Sequence, residues 1–275
     1  MEPNEKPRFE VGAILVCVDT QIIRWGVPGM QTGELLDETV GDLNLEKPMT
    51  LQVGLSGKNG FVIASDRLVQ CRQSLGSPMH SGKSSKIQTF PERGLVVAYA
   101  GENPPTSFGY RLRDAWGTKS PDENVKEESE KWFKANPTSH VSRESEIIVA
   151  HVGDAALWQI LGAGDKATVG QYDRLSTRNS MSLAPFLPEH FYSPESPIST
   201  LETLAALTIW YGERQGNTTI RDLDGVTCED GIIEAWSAEK IAKMKERCEL
   251  IHATIRGAIV ESYAATSASS NSRQS

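Results

Sequence analysis

Residues 49–66, Met-Thr-Leu-Gln-Val-Gly-Leu-Ser-Gly-Lys-Asn-Gly-Phe-Val-Ile-Ala-Ser-Asp, carry one hydroxyl and one carboxylate at the two outer ends of a turn. Two β-patterned runs, residues 51–56 and 61–64, flank Lys58-Asn59-Gly60, and Asn-Gly between apolar alternations is a strong hairpin signal. With Thr50 opening the first strand, antiparallel pairing sets Asp66 near it in space. A threonine hydroxyl is a poor nucleophile at neutral pH and needs an adjacent base. An α-amino group, with a pKa of about 7.7 to 8.0, serves when the threonine is the first residue. The plainer reading of the same pair is an ordinary sheet edge, where a Thr opening one strand faces an Asp ending its partner.

The run from Thr50 to Asp66-Arg67 resembles the opening of a proteasome β subunit. There a Thr, a Val-Gly, a Lys-Asp/Asn-Gly turn and an Ala-(Ala/Ser/Thr)-Asp-Arg run recur at this spacing, and Asp66 falls in register without a gap. Farther on, Gly82-Lys83-Ser84-Ser85-Lys86-Ile87 resembles the segment with that family's active-site lysine, and Gly94-Leu-Val-Val-Ala-Tyr-Ala-Gly101 resembles the strand ending in its Ala-Gly. The resemblance implies a threonine-type N-terminal nucleophile hydrolase with Thr50 as nucleophile. Lys86 would supply the positive field that holds amine and hydroxyl near neutrality, and Asp66 would pair with it and orient it. Lys83 competes for that role, but Lys86 is the better match because the lysine should begin the strand that follows. The Gly101 N–H would be an oxyanion donor, worth about 3 kcal/mol of transition-state stabilisation; its plainer reading is a strand-end glycine.

The later half departs from the family pattern. Ser176-Thr-Arg-Asn-Ser180-Met-Ser182 has serines without the flanking glycines, so Ser180 is the candidate there, and Glu213-Arg-Gln-Gly-Asn217-Thr218-Thr219 lacks the aspartate of an Asp-x-x-Ser-Gly-Gly run. Two rivals to a threonine endopeptidase therefore stand: a non-catalytic subunit of the same fold, and an amidase acting on a small amide. The resemblance further implies a peptide or unfolded protein as substrate, a homo-oligomeric ring, an ATP-dependent unfoldase as partner, and no cofactor.

Residues 1–48 read as an N-terminal extension, with strand-like runs at 11–18 and 21–27 and an acidic, Gly-interrupted stretch at 32–45. Three origins stay open. It is a removable propeptide, or an attached extension that denies Thr50 an N-terminal amine, or translation begins at Met49 and its removal exposes Thr50. The third, preferred here, resembles the arrangement in the bacterial two-component ATP-dependent protease.

The totals limit the function classes. The chain has 275 residues and a formal net charge of −8, which argues against nucleic acid or an anionic membrane surface as partner. Cys17, Cys71, Cys228 and Cys248 show no C-x-x-C spacing and the five histidines do not cluster with them, so neither a zinc site nor a disulfide framework is indicated. No apolar run approaches the roughly 20 residues that span a bilayer, and the first residues lack signal-peptide order. The cytoplasm is the expected compartment.

Around the hairpin, the pattern predicts a loop over 73–85, strands at 86–90 and 95–100, and helices at 106–116 and 122–135. Strands follow at 144–152 and 156–161, then a helix headed by Ser199 with Glu202 completing a capping box, strands at 220–226 and 232–236, and a last helix from about 237. Strands, helices, strands and helices in that order make an α+β chain. Two antiparallel sheets between helix layers satisfy it, which is also the four-layer αββα sandwich that the resemblance implies. Residues 49–264 form the expected domain and 265–275 a Ser-rich tail taken as disordered.

Overall fold

The computed structural model describes residues 16–18, 21–23, 50–71, 80–100, 106–137, 145–153, 157–176, 184, 186–214 and 222–271. The chain divides into two compact units, residues 1–46 and 47–275. In the first, β1 (Val16–Val18) pairs antiparallel with β2 (Gln21–Ile23).

The second unit begins with β3 (Gln52–Gly57), β4 (Gly60–Asp66), β5 (Leu68–Cys71), β6 (His80–Lys83), β7 (Ile87–Phe90) and β8 (Leu95–Ala100). Helices α1 (Thr106–Ala115) and α2 (Pro121–Ala135) follow, then β9 (Ser145–His151), β10 (Leu157–Ala163), β11 (Lys166–Tyr172) and β12 (Arg174–Ser176). The rest is α3 (Phe186–Phe191), α4 (Ile198–Arg214), β13 (Leu223–Glu229), β14 (Ile232–Ala235) and α5 (Ala238–Asn271). Two antiparallel five-stranded sheets result, ordered β11-β10-β9-β8-β7 and β12-β3-β4-β13-β14.

Strand alternation explains the layering. In β4, Val62 and Ala64 pack with α4, whereas Phe61 and Ile63 pack toward the other sheet. In β8, Val96 and Ala98 join that same middle core, whereas Leu95, Val97 and Tyr99 pack with Phe108, Leu112 and Phe133 of α1 and α2. Successive side chains point to opposite faces of a strand, so strands apolar on both faces need cover on both sides. Three apolar cores between four layers provide it: helices, sheet, sheet, helices. This is the αββα sandwich of an α+β protein.

The hairpin signalled by Asn59-Gly60 forms, but its glycine serves a different purpose from the one expected of a turn. The β3–β4 turn is Lys58–Asn59, and Gly60 already pairs with Gly57. Among the described residues the left-handed glycines are Gly94, Gly117, Gly164 and Gly231, so Gly60 is not one of them. Its lack of a side chain serves close approach instead, since a Cβ there would lie 1.9 Å from the Cys228 carbonyl oxygen on β13. The left-handed turn belongs to Asp230-Gly231, with φ of 50° and 83°, joining β13 to β14; two residues of positive φ match the twist of the flanking strands.

Other expectations need correction. The span read as a loop over 73–85 contains β6, which pairs with β5. Helix α4 starts at Ile198, one residue before Ser199, and the Glu202 carboxylate accepts from Thr227 Oγ1 and Lys240 Nζ across the α4–β13–α5 junction. The capping box forms at α2 instead, where Ser120 and Glu123 satisfy each other's backbone N–H. Helix α5 continues to Asn271, through the Ser-rich segment. No described helix is long and apolar enough to cross a membrane.

Candidate functional site

The site forms where the two sheets meet at the start of β3. The register Gln52↔Ser65 and a bond from Asp66 N to Leu51 O (3.1 Å) bring the end of β4 beside Thr50. Lys86 immediately precedes β7 of the other sheet, and its carbonyl accepts from Tyr99 N at 2.9 Å, extending the β7–β8 ladder by one step. One side chain from each sheet thus reaches the same point.

Thr50 and Asp66 do not bond directly; Lys86 bridges them. Its ammonium donates to Thr50 Oγ1 at 3.0 Å and to Asp66 Oδ1 and Oδ2 at 3.0 and 2.9 Å. Asp66 is fully buried and Lys86 only 7 % exposed. A buried carboxylate is tolerated when its lone pairs are met, and two further donors meet them: Leu51 N–H at 2.9 Å and Leu68 N–H at 3.1 Å. Burial pushes the Asp66 carboxyl above its ordinary range, opposed by Lys86 and by these bonds. Burial likewise pulls the Lys86 ammonium below the ordinary lysine range, opposed by Asp66. Desolvation disfavours the charged form of each, and each partner favours the charge of the other.

Lys83 lies elsewhere. It is 65 % exposed and pairs with Asp222 at 2.7 Å, so Lys86 alone of the two lysines contacts Thr50 and Asp66 in the described set. Gly101 and Ser180 lie outside the described residues. Among the described residues no group of three or more His, Cys, Asp and Glu could hold a metal.

The pattern reading missed three contributors. The Leu51 and Leu68 amides are backbone groups without a sequence signal. The third is Gln52, fully buried, whose Nε2 donates to the Tyr99 carbonyl across the two sheets. Alternation with Leu51, Val53 and Leu55 marks the Gln52 face as polar. That it points into a second sheet becomes legible only once the β7–β11 sheet covers it.

Chemically, the arrangement sets a cation of lowered proton affinity 3.0 Å from a threonine hydroxyl, with a buried carboxylate fixing the cation from behind. Such a cation stabilises negative charge developing on the hydroxyl oxygen. A base is the remaining requirement.

No family model matches the chain, and no curated protein matches it. Solved structures do. Anbu, described as an ancestral beta-subunit, from Yersinia bercovieri aligns with a TM-score of 0.57 at 12 % identity, covering 75 % of this chain and 96 % of that one. A Gly-1 mutant of Anbu from Hyphomicrobium sp. strain MC1 gives 0.56 at 13 %, covering 77 % and 96 %. Another Anbu structure from the same strain gives 0.53 at 12 %, covering 76 % and 97 %. These likenesses establish a shared fold. They correct the reading of the chain as a proteasome β subunit: the structural neighbours are Anbu proteins, and identity of 12–13 % without a family match leaves the residue runs at 50–67 and 82–101 as a likeness of local pattern.

Proposed function

We propose that the chain is a threonine hydrolase, with Thr50 as nucleophile, Lys86 as the cation beside it and Asp66 as the residue that holds Lys86 in place. The observation that carries this reading is the bridge itself, one buried ammonium bound at once to Thr50 Oγ1 and to both oxygens of Asp66. A buried pair kept only for stability has no need of a hydroxyl at the third position. The missing base is the α-amino group that Thr50 acquires when it becomes the first residue, by removal of residues 1–49 or by translation from Met49. Its ordinary pKa of about 7.7 to 8.0 suits a proton acceptor near neutrality. Gly101 N–H then serves as oxyanion donor and Ser180 as an accessory hydroxyl.

The substrate class is an extended peptide or unfolded protein, cleaved by a homo-oligomeric ring fed by an ATP-dependent unfoldase. The fold shared with proteins described as an ancestral beta-subunit supports the subunit reading. The test is an intact-mass measurement of the natively expressed protein joined to a peptide-hydrolysis assay. A mass beginning at Thr50 and turnover lost in Thr50→Ala are the expected results. A mass that retains residue 1, with no hydrolysis, would reject the enzyme reading and leave a non-catalytic subunit.

A further inference from the structure

The Lys86–Thr50 contact spans two sheets whose shared core is apolar and non-directional: Ile63, Val96, Ile148, Leu157 and Val226 are all buried there. Apolar packing resists separation of two layers better than it resists their sliding, because its energy follows buried area and not direction. Directional contacts fix an offset that packing alone does not: the Lys86–Asp66 pair is one, and Gln52 makes a second. Its amide crosses from β3 to the carbonyl of Tyr99 on β8, and the N–H of that same Tyr99 donates to the carbonyl of Lys86 at 2.9 Å. The Lys86 ammonium returns to Thr50, which lies two residues ahead of Gln52, the first residue of β3. Chain and hydrogen bonds therefore close a ring through Thr50, Gln52, Tyr99 and Lys86.

We propose that Gln52 is a positioning residue: its amide clasps the two sheets in the offset at which the Lys86 ammonium meets Thr50. The assignment of a consequence for turnover rests on the threonine-hydrolase reading, whereas the clasp itself does not. A buried amide in an apolar interlayer returns only about 1 kcal/mol net when paired and costs more when unpaired, so an apolar residue would serve stability about as well. A donor reaching the strand next to Lys86 serves geometry.

The test replaces Gln52 by Met, which keeps the length and removes the donor. In the full chain, amide hydrogen exchange is followed residue by residue. Tyr99 N–H, the link between clasp and Lys86, should exchange at least tenfold faster relative to Val97 and Ile148 than in the wild type. A uniform acceleration of all three, or none, overturns the proposal, because it would mean that Gln52 contributes only to global stability. If the Met variant fails to fold, Gln52→Asn is read by the same criterion, since its amide is one methylene short of the carbonyl. In the form that hydrolyses peptides, kcat should fall on the order of 10- to 100-fold with KM unchanged, as for a misplacement of about 1 Å, and unaltered kcat alongside a loosened Tyr99 would overturn the positioning role. Absence of hydrolysis in the wild type, with Tyr99 loosened selectively in the variant, would reject the enzyme reading and uphold the clasp.

Discussion

Replacing Lys86 by Ala removes the group on which the whole arrangement converges. Three bonds vanish, one to Thr50 and two to Asp66, and Asp66 is left fully buried with only the Leu51 and Leu68 amides as partners. Breaking a buried pair by removing one member costs about 3 to 5 kcal/mol when the remaining charge stays ionised. At roughly 2 to 4 °C per kcal/mol for a chain of this size, the melting temperature should fall by roughly 6 to 20 °C. Proton uptake by Asp66 limits the loss. Burial already raises its carboxyl, and without the ammonium that raising is less opposed. A group whose folded pKa lies above its unfolded value contributes stability in full below the unfolded pKa and loses it as pH rises through the folded one. The gap between wild type and variant should therefore be wide at pH 8 and narrow on acidification toward pH 5. Melting curves at both pH values, beside peptide hydrolysis, measure this. A variant that melts with the wild type at pH 8, or a gap that widens in acid, would refute the account of a buried pair.

Lys83→Ala is the matched control: its partner Asp222 retains Lys245 at 3.5 Å, and a surface pair of this kind is worth roughly 0 to 1 kcal/mol, so neither melting nor hydrolysis should change much. Thr50→Ala should abolish hydrolysis while lowering stability by only about 1 kcal/mol, the net worth of its bond to Lys86; undiminished turnover removes Thr50 from the mechanism. Asp222 has a φ of 60°, and Lys83, then Lys245, hold its carboxyl below the ordinary range. That depression adds stability above the unfolded pKa which disappears as pH falls through the folded one, so Asp222→Asn should erase a small stability difference at pH 7 and none at pH 2. Asp222→Ala should cost about 1 kcal/mol more than Asn, which tolerates the left-handed region; equal denaturation midpoints for the two would remove the backbone argument. Gly109→Ala would set a Cβ 2.2 Å from the Tyr99 hydroxyl and 2.3 Å from Gln88 Oε1, an overpacking expected to cost about 1 to 3 kcal/mol, and an unchanged melting curve would show that α1 can shift away.

The sandwich was legible from the order of strands and helices along the chain and from the resemblance, and the apolar residues at successive positions of β4 and β8 give the physical reason, since such strands demand cover on two faces. Strands β11 and β12 escaped notice for the opposite reason. The β11 strand is a largely exposed edge with Gly170 in its middle, and β12 is three residues long, so neither offers an apolar period. Asn59-Gly60 gave the right hairpin with the wrong reason, since Gly60 is required by the neighbouring carbonyl and not by the turn. Ser199 failed as a cap because α4 begins one residue earlier, at Ile198, and Glu202, its supposed partner, bonds Thr227 and Lys240 from elements far along the chain. At the site, the spacing of Thr50 and Asp66 follows from one hairpin and was readable as such. Lys86 contacts Thr50 and Asp66, whereas Lys83 pairs with Asp222. Gln52 required knowledge of what lies above the strand, which is a property of two sheets and not of one sequence window.

Because Thr50 leads into β3 and Asp66 ends β4 of one sheet, while Lys86 leads into β7 of the other, the distance between hydroxyl and ammonium reports the spacing of the layers. The three cores are therefore unequal in the substitutions they can accept. A larger or smaller residue under α4 or α2 can be absorbed by a helix that tilts or slides, leaving the bridge untouched. A change at Ile63, Val96 or Ile148 alters the gap that Lys86 must cross, with no helix to yield. Hydrostatic pressure offers a direct probe, since compression of the middle layer should perturb the Lys86 ammonium signal before it perturbs the aromatic resonances of the outer cores.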